Sequence, residues 1–280
     1  MTQTKVTFSF RRAALIGENT MRQAAREQYF GFVALLAVLL VAGAQALQVL
    51  NFGSSELRFI SNIGFSTMAF FGAALTIAAT TQFYFAEVEH RTLFTLLSKP
   101  ILRAEFVLGK FIGVVILAAV FCLLITLVLI GVLWTRENSL MRAVPDSIRD
   151  GNSINFEAIF GASVAQWMKL IVLGCLTLLV ASFAQSPVFT MGAGWMILVT
   201  GHLQFVALAA AENVGQSVVR TIVRLVAFAL PDFQRFDLSD AITSSHQTPW
   251  LDVAHLAFYS VAYCGVVLAL AAYSFRHREL

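Results

Sequence analysis

Three features of the sequence predict an all-α fold and an integral membrane protein. Of the 280 residues, 58% are hydrophobic and 12% charged, with 25 phenylalanines and a mean hydropathy of +0.77, whereas soluble domains carry roughly 25% charged residues. Several apolar runs reach the length of about 20 residues needed to cross a hydrocarbon layer. The runs are continuous rather than alternating, which excludes a membrane β-barrel. All of 1–280 reads as one transmembrane domain.

The elements follow in order. Residues 8–28 set Arg11, Arg12, Arg22 and Arg26 among apolar side chains, the pattern of a helix lying on an anionic membrane surface. The first span is expected at 30–50. Its length, its distance from Met1 and the lack of a small-x-small site argue for a retained span rather than a cleaved leader. The second is expected at 63–86 and the third at 107–134, with Lys110 near its start, where a long side chain can snorkel. The fourth, 164–184, holds Lys169 about one turn inside, and the fifth and sixth lie at 188–211 and 253–275.

With six spans and a cytoplasmic N-terminus, eleven of the nineteen basic residues and six of the sixteen acids fall inside, a balance of +5 against −2 outside. The positive-inside rule therefore puts both termini in the cytoplasm. Outside, loop 135–163 reads as a short ordered cap. After Ala211 the segment ENVGQSVVRTIVRLVAFALPDF sets Arg220 and Arg224 one turn apart on an apolar helix. It is too charged to cross the membrane, so an outer-leaflet or re-entrant helix ended by Pro231 is expected. Asp232, Asp237 and Asp240 lack the ligand density of a calcium loop and read as a capped turn.

Catalytic chemistry is not visible. There is no phosphate loop, no HExxH, no GxSxG and no paired carboxylate within a span. Residues 87–90 (EVEH) have the letters of a metal site without a second histidine at helical spacing. Cys122, Cys175 and Cys264 fall within spans, where they act as small apolar residues.

The largest loop on the inner side, 87–106, departs from the rest of the chain. Leu93, Phe94, Leu96 and Leu97 form an apolar stripe at helical spacing beside Arg91, Thr92 and Thr95. Ser98-Lys99-Pro100 then stops the helix, and a second short helix runs into the third span. A helical elbow of this composition suits a docking surface better than a linker.

The order Glu, Arg-Thr-Leu, Leu-Leu-Ser, Lys-Pro-Ile, Arg, Glu-Phe, Leu-Gly-Lys across 87–110 resembles the pattern of ABC transporter permeases of the type-2 exporter class. The pieces at 179–187 (LVASFAQSP), Gly201-His202 and 230–240 (LPDFQRFDLSD) are similar to the multi-copper-enzyme-maturation and gliding-motility group of those permeases. The resemblance implies that 87–106 is a coupling helix inserting into a separate ATPase subunit, which binds ATP and magnesium itself. The matching positions are Glu87 or Glu89, Arg91, Thr92, Leu93, Leu96, Leu97, Ser98, Pro100, Arg103, Gly109 and Lys110. It also implies a bacterial inner membrane location and two facing copies, identical or paralogous, with the first, second and fifth spans lining the route.

On those spans Gln45, Gln48, Thr76, Gln82 and His202 are the candidate pathway residues, because a polar group in hydrocarbon needs a partner. No cofactor in the chain and no nucleic-acid partner are expected; membrane lipid is. The expected function is the membrane subunit of an ATP-driven exporter. A membrane scaffold or a secondary transporter are the alternatives, the latter disfavoured by the lack of a mid-span acid or an internal repeat.

Overall fold

The computed structural model describes residues 10–46, 56–89, 103–143, 155–213, 221, 230–238 and 250–277. Helices follow one another along them: α1 (Phe10–Arg26), α2 (Gln28–Gly43), α3 (Glu56–Glu89), α4 (Arg103–Ala143), α5 (Phe156–Phe183), α6 (Pro187–Asn213), a 3-10 turn (Phe233–Phe236) and α7 (Trp250–His277). No strand occurs among the described residues.

Local chemistry explains several of the ends. Asn155 caps α5 by accepting a hydrogen bond from the Ala158 amide at 3.1 Å, and Pro187 opens α6 at a position whose amide would have had no helical partner. Ala184 is extended, so α5 and α6 meet through residues 184–186 as a tight antiparallel hairpin. Asp232 caps the 3-10 turn through the Gln234 amide at 3.1 Å, as expected of a capped turn.

Among the described residues, four helical stretches are long and apolar enough to cross a membrane: Leu57–Ala86, Glu105–Ser139, Phe156–Phe183 and Trp250–Ser274. The α1–α2 pair, bent by 70°, makes a fifth if it is counted as one span. Six were anticipated, over a chain of which these are the described residues. The described part of α2 is 16 residues, short of about 20, while α6 runs for 27 residues from Pro187 to Asn213.

Helix ends also moved. Residues 135–143, anticipated as part of an outer cap, continue α4, and α5 starts eight residues before the expected span. Lys169 consequently lies at the middle of α5, roughly 20 Å from either end at 1.5 Å per residue, not one turn inside. The re-entrant helix anticipated after Ala211 falls outside the described residues except for its edges and Thr221.

The packing is that of a protein dissolved in lipid. Phe32, Leu35 and Leu39 on α2, and Val120, Leu123 and Leu127 on α4, are exposed at helical spacing, so apolar stripes point outward as well as inward. α5 is the central helix, packed against α3, α4, α6 and α7. Its buried face includes Ile159, Ala162, Leu170, Val172 and Leu173. The three cysteines are buried and free.

Candidate functional site

Two regions concentrate polar side chains inside this apolar frame. The first is the start of α4, which continues directly from the expected docking segment. Here α1 and α4 run parallel in a constant register: Arg12 meets Glu105, Ile16 meets Gly109 and Thr20 meets Gly113. The α1 face that turns inward is Ala13, Gly17, Thr20 and Ala24, small residues that let two backbones approach. A side chain at Gly109 would stand 2.6 Å from Ile16 Cβ and 2.9 Å from the Ala13 carbonyl oxygen, and one at Gly113 would stand 2.6 Å from Thr20 Cβ. The Gly109-x-x-x-Gly113 spacing therefore makes the groove in which α1 lies.

Charge completes this contact. Arg12 donates to Glu105 at 2.8 Å, with the carboxylate side chain fully buried and the guanidinium 33% exposed. Lys110 is buried, its ammonium 5.9 Å from the ring centres of both Phe83 on α3 and Phe106, a cation–π arrangement. α1, α3 and α4 are thus bound together within three turns of the end of α3.

The second region is a cavity of about 750 Å³ between α3, α5, α6 and the segment after the 3-10 turn, with Asn62, Ser66, Gln166, Lys169, His202 and Asp237 as its polar lining. Lys169 is 3% exposed and its Nζ lies 2.8 Å from His202 Nε2. His202 Nδ1 lies 2.9 Å from the Leu198 carbonyl. A carbonyl only accepts, so Nδ1 carries the proton and Nε2 accepts from Lys169. The Oε1 of Gln166, one turn from Lys169, is buried and has no hydrogen-bond partner among the described residues. Phe65, Phe70, Trp195 and Leu198 supply the apolar wall.

The 3-10 turn holds this arrangement from one side. Gln234 donates to the His202 carbonyl at 3.2 Å, and the Phe233 ring packs 5.8 Å from the imidazole. Gly201 admits that contact: a Cβ there would meet the Phe233 ring and stand 3.0 Å from the Pro231 carbonyl. The Gly201-His202 and 230–238 pieces, which are far apart in sequence, form one unit.

A family model of the ABC-2 family transporter proteins matches residues 6–280, nearly the whole chain. The protein belongs to the ABC-2 transporter family. Comparison with curated proteins found no match. As an ABC-2 family permease the chain is a multi-pass, non-catalytic transmembrane subunit of an ABC transporter.

Within this ABC-2 subunit the residues singled out from sequence separate into groups. Arg91, Thr92, Leu93, Leu96, Leu97, Ser98 and Pro100 lie outside the described residues. Glu87 and Glu89 end α3 and Arg103 begins α4. Lys110 is turned into the α3–α4 contact rather than toward a surface. Of the described pathway candidates, His202 alone lines the cavity. Gln45 donates to the Val132 carbonyl at 3.3 Å and to Thr135 at 3.1 Å, joining the end of α2 to α4. Thr76 is buried on α3 and Gln82 half-buried on the same helix, while Gln48 is outside the described residues. Gln166 and Asp237 were not expected to serve the site, and Lys169 was not expected at its centre. One signal was present: Lys169 stands fifteen residues before the 184–186 hairpin turn and His202 sixteen after it, so an antiparallel pair brings them together.

Proposed function

We propose that the chain is the membrane-embedded half of an ATP-driven exporter, in a bacterial inner membrane, with both termini cytoplasmic. A separate ATPase subunit, holding ATP and magnesium, docks on 87–106, and a second permease copy faces the first across the route. The observation that carries the coupling part of this reading is the lock at the start of α4. Glu105, Gly109 and Lys110 belong to the same motif as the docking residues, yet their contacts run to α1 and α3. Force arriving at 87–106 would enter two long helices already clamped to each other and to α1, and such a rigid unit can tilt as one body.

α3 and α4 extend that motion toward the cavity. α3 lines it through Asn62, Phe65 and Ser66, and α5 and α6 close it. ATPase closure would then change the cavity's access rather than its chemistry, the differential contact between two states that coupling requires.

The test is isolation of the complex from native membranes in mild detergent, with identification of co-purifying proteins. A nucleotide-binding protein should be retained by the wild type and lost from Leu96→Asp, which puts a carboxylate in the apolar docking stripe. A chain that assembles normally without any such protein is a scaffold, and the exporter reading fails.

A further inference from the structure

The cavity around Lys169 combines features that select a ligand. Lys169 is 97% buried, and its one hydrogen bond among the described residues goes to a neutral imidazole, so the nitrogen has two further hydrogens to donate. Gln166 Oε1, on the same face one turn away, is buried and has no donor among the described residues. Asp237, the carboxylate on the lining, is on the exposed side, where solvent or headgroups screen its charge more than that of Lys169. A buried cationic donor beside an unsatisfied acceptor is costly unless something answers both.

Size and apolarity narrow the choice. About 750 Å³ is within the range of small-molecule sites, and the wall opposite the polar cluster is aromatic and aliphatic, with Phe70, Val199 and Leu203 exposed at its rim. A small hydrophilic anion would leave that wall wetted.

We propose that this cavity binds an anionic amphiphile: a phosphate or carboxylate head that accepts from Lys169 and carries a hydroxyl or N–H for Gln166, with an apolar body along Phe65, Phe70, Trp195 and Leu198. His202 positions Lys169, and the 3-10 turn positions His202. Passage of such a ligand rests on the transporter reading, but its binding does not, so binding is measured on the purified chain without an ATPase subunit.

Native mass spectrometry of the full chain, titrated with phosphatidylglycerol, phosphatidylcholine or inorganic phosphate, tests the proposal. The wild type should hold one phosphatidylglycerol at least about tenfold more tightly than phosphatidylcholine, whose choline cation opposes Lys169 and which has no head hydroxyl for Gln166, a difference of about one hydrogen bond to a charged site. Lys169→Met removes a buried charge and fits the volume, so it should fold; it should lose that preference. Gln166→Leu should weaken phosphatidylglycerol and leave phosphatidylcholine unchanged. Retained preference in Lys169→Met, no preference in the wild type, or inorganic phosphate binding as tightly as the lipid would each overturn it.

Discussion

The buried carboxylate of Glu105 ties the first helix of the chain to the start of α4. Its partner Arg12 comes from the other end of the chain's first hundred residues, at 2.8 Å. Arg12→Ala should lower stability by about 2–3 kcal/mol, below the usual cost of breaking a buried pair because the guanidinium is one-third exposed. Glu105→Gln in that background should restore part of the loss. Thermal unfolding of the two single variants and the double variant checks this. Additive losses in the cycle would mean that the pair makes no coupled contribution. The same locality explains what was legible. Lys110 and Gly109 could be picked out by resemblance, and Phe106 stands one turn from Lys110 on the same helix, but nothing in the spacing said that Phe83 would face Lys110 or that Ile16 would lie over Gly109. Those contacts join residues some 27 and 93 positions apart.

At the scale of elements, α1 is more than a surface helix. Its small face lies in the groove of α4, and the parallel register repeats every four residues through Arg12, Ile16 and Thr20. Gly109→Val should expel α1 from the groove, since the first atoms met include the Ala13 backbone, which cannot turn away. Overpacking of this kind costs about 1–3 kcal/mol. Limited proteolysis should then cut within 10–26 while the remaining helices stay protected; an unchanged cleavage pattern would show that α1 does not depend on this contact. The amphipathic pattern of α1 was readable, and so was its boundary near residue 28, but not its docking, because arginines on a lipid surface and arginines beside a partner helix give the same periodicity. For α5 the apolar run gave the helix and missed its first eight residues, where Glu157 and Ser163 lower hydropathy while Asn155 still caps the turn. That error hid the central position of Lys169.

Across the whole molecule, the class was clear from composition alone, and continuous apolar runs left helices as the solution. The number of crossings was less clear, since the described part of α2 is only 16 residues long. The functional geometry has a simple layout: a clamped base where α1, α3 and α4 meet, and a polar cavity among α3, α5 and α6. α3 belongs to both. On the proposed reading, an ABC-2 subunit so arranged would have its mechanical input and a ligand-sized chamber joined by one 34-residue helix. The most direct measurement of that account is site-specific photo-crosslinking in native membranes from Leu93 and Leu97, with Val266 on the exposed face of α7 as control. The account predicts crosslinks from both leucines to a nucleotide-binding subunit and none from Val266. Crosslinks from Leu93 and Leu97 to lipid alone would contradict it.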